Sequence, residues 1–214
     1  MMTRRAGVGP RRLARMWRRR RLAAAASVVL AVVGLLWSDL PTQWSGSGVV
    51  AAVLVWKVSD RRVGRAIAGE AGERLVASRL GWRTAAVFGW RSPGARFDVD
   101  VVVFEPCVAA IEVKRGQGRL RVLGDGAVSA GGRPIPGRAV RQATRGAAAL
   151  RSAAGLDQHV TAILCITHMV GRPRVVVDGE NPVVVCSAKW VRRVLRRLEP
   201  STPATRRLLR ELVS

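Results

Sequence analysis

Apolar residues crowd the start of the chain and then give way to a mixed pattern. Leu22 to Trp37 is an unbroken run of Ala, Val, Leu, Ser and Gly closed by Trp37, and Val49 to Val58 is a second apolar run. At about 1.5 Å per residue the first reaches about 24 Å, short of the roughly 30 Å hydrocarbon core of a bilayer. Trp17 and Trp37 nevertheless suit the two interfaces, with Arg18 to Arg21 snorkelling outward. The pattern predicts a transmembrane helical hairpin over 22–58, with spans at 22–37 and about 44–58, and contact with the membrane through 17–58. The second run is also short enough to be re-entrant.

From Arg62 the pattern alternates between helical and extended periodicity, which predicts an α/β domain over 62–198. Val63, Ile67, Leu75, Val76 and Leu80 lie at helical spacing, with Gly81 as a stop. Phe97–Phe104 and Val108–Val113 form β-branched runs around Glu105, Pro106 and Cys107, a predicted hairpin. Gly116–Pro136 is rich in turn residues, with short strands at Leu120–Leu123 and Gly126–Ser129. A helix over Arg138–Ala154 follows, then strands at His159–Met169, Arg174–Val177 and Val183–Cys186, and a helix over Ala188–Leu198. Residues 199–214 form a basic tail with a helical turn or two. Trp82 and Trp90 follow the first helix as packing residues.

Charge adds a partner and an orientation. Lys and Arg number 37 against 14 Asp and Glu, a formal charge of +23. This points to a polyanion, nucleic acid or anionic lipid, although an Arg-rich codon bias accounts for part of it. The basic segment 1–21 and the cluster Lys57, Arg61, Arg62 and Arg65 flank the apolar runs, while the loop Ser38–Gly48 has no Lys or Arg. By the positive-inside rule both ends then lie in the cytoplasm, and the domain faces it from the cell membrane. A cleaved signal peptide fits less well, because no Ala-x-Ala site follows the first run. Cys107, Cys165 and Cys186 lack zinc spacing and read as buried thiols. His159 and His168 read as structural, since nothing nearby completes a nucleophilic triad.

The hairpin carries the candidate chemistry. With its turn at Pro106, positions summing to 212 face each other, so Asp100 opposes Glu112 and Asp98 opposes Lys114. Two facing carboxylates repel unless a cation lies between them or one is protonated, and hard divalent ions take such ligands. A cross-strand Asp98–Lys114 salt bridge at a solvated edge is the plainer alternative. Glu112 and Lys114, two apart, share a face.

Asp100 followed after eleven residues by Glu112-Val113-Lys114 resembles the Asp…Glu-x-Lys signature of the PD-(D/E)xK nuclease superfamily. Within it the chain resembles the nuclease-related domain, NERD. Gly69 through Gly72-Glu73 resembles that family's Gly-x-x-Gly-Glu helix, and Val99–Val103 its Asp-centred strand. Ala110–Lys114 with Gly118 resembles its Ile-Glu-Val-Lys core, and Gln142 stands where the family has a Gln. The resemblance spans about 65–198.

It implies a restriction-endonuclease-like α/β/α core with a central mixed sheet, cutting DNA with Mg²⁺ or Mn²⁺. Asp100, Glu112, the Val113 carbonyl and Glu73 would hold the metal, Glu73 directly or through water. Lys114 would orient or help activate the attacking water, and Gln142 would organise the site. Arg115, Arg119, Arg141 and Arg145 are the candidate phosphate contacts. Gly146 stands where some superfamily members have a Tyr. A non-catalytic nucleic-acid-binding or scaffolding module at the membrane is the alternative reading.

Overall fold

A computed structural model describes residues 69–81, 84–91, 98–122 and 128–213, together with scattered helical positions between 19 and 58. The predicted spans 22–37 and 44–58, the beginning of the first helix and Trp82 lie largely or wholly outside the described residues. Among the described residues no helix is long and apolar enough to cross a membrane. The chain divides into two units, one over Gly9–Glu70 and another that takes in the chain from Ala71 onward. In the first, the described Leu22, Val29, Val53, Leu54 and Val58 are helical with exposed side chains.

The second unit is an α/β structure built on one mixed sheet. Residues 69–80 are helical (α1) and end at Gly81, whose φ of +83° is the left-handed turn that a C-terminal glycine supplies. The strands are β1 (Ala85–Arg91), β2 (Asp98–Glu105), β3 (Ala109–Val122), β4 (Val128–Ala130), β5 (Arg133–Ile135), β6 (Thr161–Val170), β7 (Arg174–Asp178) and β8 (Asn181–Ser187). Three more helices are α2 (Gly137–Ala153), α3 (Ala188–Leu195) and α4 (Pro203–Val213). The sheet order is β1-β2-β3-β6-β8-β7, with β4 on β3 and β5 on β4. The central pairs β3–β6 and β6–β8 are parallel, and the flanking pairs are antiparallel.

Continuous Val and Ile runs form the central strands because both faces of the sheet are covered. Val102, Ala110, Leu164 and Val185 share one apolar cluster with Ala143, Ala147 and Leu150 of α2 and Leu209 of α4. Val101, Ile111, Ile163 and Cys165 share the other with Val76 and Leu80 of α1 and Val191 and Leu195 of α3. The tail is therefore a full helix: Leu209 is completely buried, and Arg206 and Arg210 reach Glu105. Cys107, Cys165 and Cys186 are free and buried, and burial pushes the Cys107 thiol up to about 12. Trp90 is a core residue.

Two features depart from the sequence reading. Ala85–Arg91 is an edge strand paired to β2, with Trp90 against Val99. The predicted break after Val113 is also absent, since β3 runs fourteen residues to Val122 and absorbs Leu120–Val122. Its glycines mark a bulge: the β3–β6 register shifts between Lys114 and Gln117. Gly118, at φ +92°, lies so close to Gly131 that a Cβ would fall 2.5 Å from its Cα.

Candidate active site

The β2–β3 hairpin pairs Val103 with Ala109, Val102 with Ala110 and Val101 with Ile111, each summing to 212 as predicted. The backbone ladder between β2 and β3 runs from Val103–Ala109 to Val101–Ile111. Past that pair, the Asp100 Oδ2 accepts the Val113 N–H at 2.7 Å, so a side chain takes over the role of the neighbouring strand. The N–H and C=O of one strand residue point to the same side. The Val113 carbonyl thus also faces Asp100.

Lys114 follows on the same strand and turns to two partners. Its Nζ donates to the Glu112 Oε1 and, at 3.2 Å, to the Gln142 Oε1 on α2. The Asp98–Lys114 alternative is overturned, because Asp98 instead accepts from Arg91 Nε at 2.7 Å across the β1–β2 pair. The reason is register: β1 brings Arg91 directly opposite Asp98, nearer than β3 can bring Lys114.

Glu73 joins from α1 through a close helix–sheet contact. A Cβ on Gly72 would lie 3.1 Å from Val113 Cγ1 and 3.2 Å from Thr167 Cγ2, so the absent side chain lets α1 settle onto β3 and β6. The next residue, Glu73, is buried near enough to raise the Glu112 pKa. Gly146 plays the same part on α2, where a Cβ would lie 3.2 Å from Val99 Cγ2. Gly69 has open space around its Cα.

Burial sets the electrostatics. Glu112 is pushed up to about 7, first by desolvation and then by the Asp100 charge; Lys114 opposes this and Glu73 adds to it. Asp100 is raised as well, chiefly by burial, against the Val113 amide and Lys114. A buried acid pushed up by a neighbouring carboxylate, as Glu112 is by Asp100, calls for a cation or a proton.

Among the described residues no three His, Cys, Asp or Glu side chains are grouped closely enough to hold a metal ion. Mg²⁺, however, is commonly bound through one or two carboxylates and keeps several waters. Asp100, Glu112 and the Val113 carbonyl fit that sparse donor set, and Asp100 Oδ1 remains for a ligand.

The site opens into a cleft of about 1220 Å³ lined by Lys114, Arg115, Arg133, Arg138, Gln142 and His168, among others. Of the arginines expected around the site, Arg115 and Arg138 line it; Arg119, Arg121, Arg141 and Arg145 are exposed outside its lining. Arg133 and His168 are additions. His168, expected to be structural, is exposed and pairs in register with Gln117. No sequence signal marks it, because the β3–β6 pairing joins residues some fifty positions apart in parallel.

No family model matches the chain, and neither a curated protein nor a solved structure matches it.

Proposed function

We propose that this chain is a membrane-anchored, Mg²⁺-dependent nuclease-like enzyme acting on DNA, a nuclease-related domain of the PD-(D/E)xK superfamily. One observation carries the reading: Asp100, Glu112, Lys114 and Gln142 converge where β2 and β3 part, at the mouth of a basic cleft.

The chain's own residues have separable tasks. Arg115, Arg133 and Arg138 hold phosphates beside the scissile one. Gln142 and Glu112 fix the Lys114 ammonium, which orients the attacking water and donates to a non-bridging phosphate oxygen. Asp100 braces the Val113 amide and so sets the direction of the adjacent carbonyl. Asp100, Glu112 and the Val113 carbonyl would hold a divalent cation, which when bound would supply Lewis-acid neutralisation of the phosphate charge. Without it the carboxylates would repel a phosphodiester.

The anchor reading draws on the basic-flanked apolar runs and on the exposed apolar side chains at Leu22, Val29, Val53 and Leu54. Large exposed apolar surface is costly in water and natural in lipid. The charge asymmetry supports a domain facing the cytoplasm.

The test is plasmid nicking by the full chain in detergent. Cleavage with Mg²⁺, lost on chelation and in Glu112→Ala, supports the proposal; cleavage that survives Glu112→Ala overturns it. The sparse donor set, with no three metal-ligating side chains grouped among the described residues, leaves room for a second reading, a non-catalytic DNA-binding module at the membrane. That reading requires salt-sensitive DNA binding indifferent to both chelator and Asp100→Asn.

A further inference from the structure

Two basic helices close the chain, and their cations meet opposite fates. On α4, Arg206 and Arg210 reach Glu105 and Arg207 reaches Glu211. On α3, the turn that follows it and the turn before β7, Arg193, Arg197 and Arg172 have no acidic partner among the described residues. These three surround a pocket of about 480 Å³ floored by Pro173, Trp190, Val194 and Leu198, with the Arg193 guanidinium 5.3 Å from the Trp190 ring centre.

The chain runs from the pocket residues Arg172 and Pro173 directly into β7, which carries exposed apolar side chains. Val175 and Val177 are 61% and 62% exposed. Val176 belongs to the cluster under α2, so alternation turns Val175 and Val177 to the other side of the sheet, the side that α3 covers. β7 is the last strand of the sheet, with neighbouring β8 on its inner edge. Exposed aliphatic side chains on the strand that leaves an arginine-lined pocket, on the same side of the sheet as α3, are a surface for something both apolar and anionic.

We propose that the β7–α3 face is a docking surface for an anionic lipid bilayer: the valines enter the acyl boundary while Arg172, Arg193 and Arg197 hold lipid phosphates. A phosphate backbone would leave the valines in water, and the active-site cleft uses different elements, β3, β5 and α2. A second copy of the chain would bring one set of arginines against another. This inference does not depend on the phosphodiesterase reading.

The full chain, with a fluorophore on Val177→Cys, is reconstituted into vesicles containing brominated lipid. The three native cysteines are buried, and Leu208→Cys, on α4, is the control. In vesicles rich in phosphatidylglycerol the label at 177 is quenched and the label at 208 is not. High salt and purely phosphatidylcholine vesicles relieve that quenching.

Arg193→Ala/Arg197→Ala lowers the docked-to-free ratio about 25-fold, about fivefold per arginine. Equal quenching at 177 and 208, or indifference to lipid charge, overturns the docking surface. So does a label at 177 that responds to DNA or to protein concentration instead of lipid. A chain that stays with the vesicles while 177 remains unquenched overturns docking and leaves the N-terminal anchor standing.

Discussion

Asp98 and Asp100 are two residues apart on one strand, yet they meet different physics. Asp98 pairs with Arg91 in the open, with side chains 46% and 73% exposed. Asp100 is drawn inward beside Glu112, which is only 3% exposed, and both acids are pushed above their usual range. A charge pair in water is screened and worth little. A buried acid such as Glu112, with a half-buried carboxylate beside it, is a standing cost unless a proton or cation relieves it. Burial, more than charge, separates an ordinary surface bridge from a candidate site.

The sharpest way to break this comparison is to remove one acid from each region. In plasmid nicking, Glu112→Ala costs at least about 100-fold in rate, while Asp98→Ala costs less than about twofold. Equal losses would show that the distinction carries no functional weight.

The pH dependence comes next in size. The Glu112 pKa rises from an ordinary 4.5 to about 7 in the folded protein. The folded state therefore holds this proton more tightly than the unfolded state. The stabilising effect is complete below pH 4.5 and disappears as pH rises through about 7. Urea titrations of metal-free protein should show a fall on the order of 3 kcal/mol, flattened in Glu112→Gln. Mg²⁺ competes with the same proton, so its affinity should rise across that interval, as calorimetry would detect.

Gly72→Val tests how Glu73 is delivered to the buried region. Its side chain meets Val113 and Thr167, so α1 must shift outward, at a cost of about 1–3 kcal/mol in thermal unfolding. Nicking should fall further than that loss of stability explains. Arg91→Ala is the smallest change: the unfolding midpoint and the nicking rate should both match the parent chain.

Much of the hairpin was legible because its signals are local. Pro106 centres the turn, and the period of two carries the register from there to Val101 and Ile111. The long helices and the valine-rich strands were legible for the same reason. β1 escaped because Ala85-Ala86-Val87-Phe88-Gly89-Trp90 has little alternation and contains a glycine. The continuity of β3 escaped because Gly116 and Gly118 look like turn residues, although here they serve a bulge and a close backbone approach.

By itself, the sequence determined which residues were charged within apolar strands and the hairpin register from Val103–Ala109 to Val101–Ile111. Only the tertiary structure decided that Asp98 turns to Arg91, that Gln142 meets Lys114, that Gly72 brings in Glu73 and that His168 borders the cleft. Those contacts join segments far apart in the chain, and their energies depend on burial. Spacing along a sequence does not encode either until the sheet is assembled.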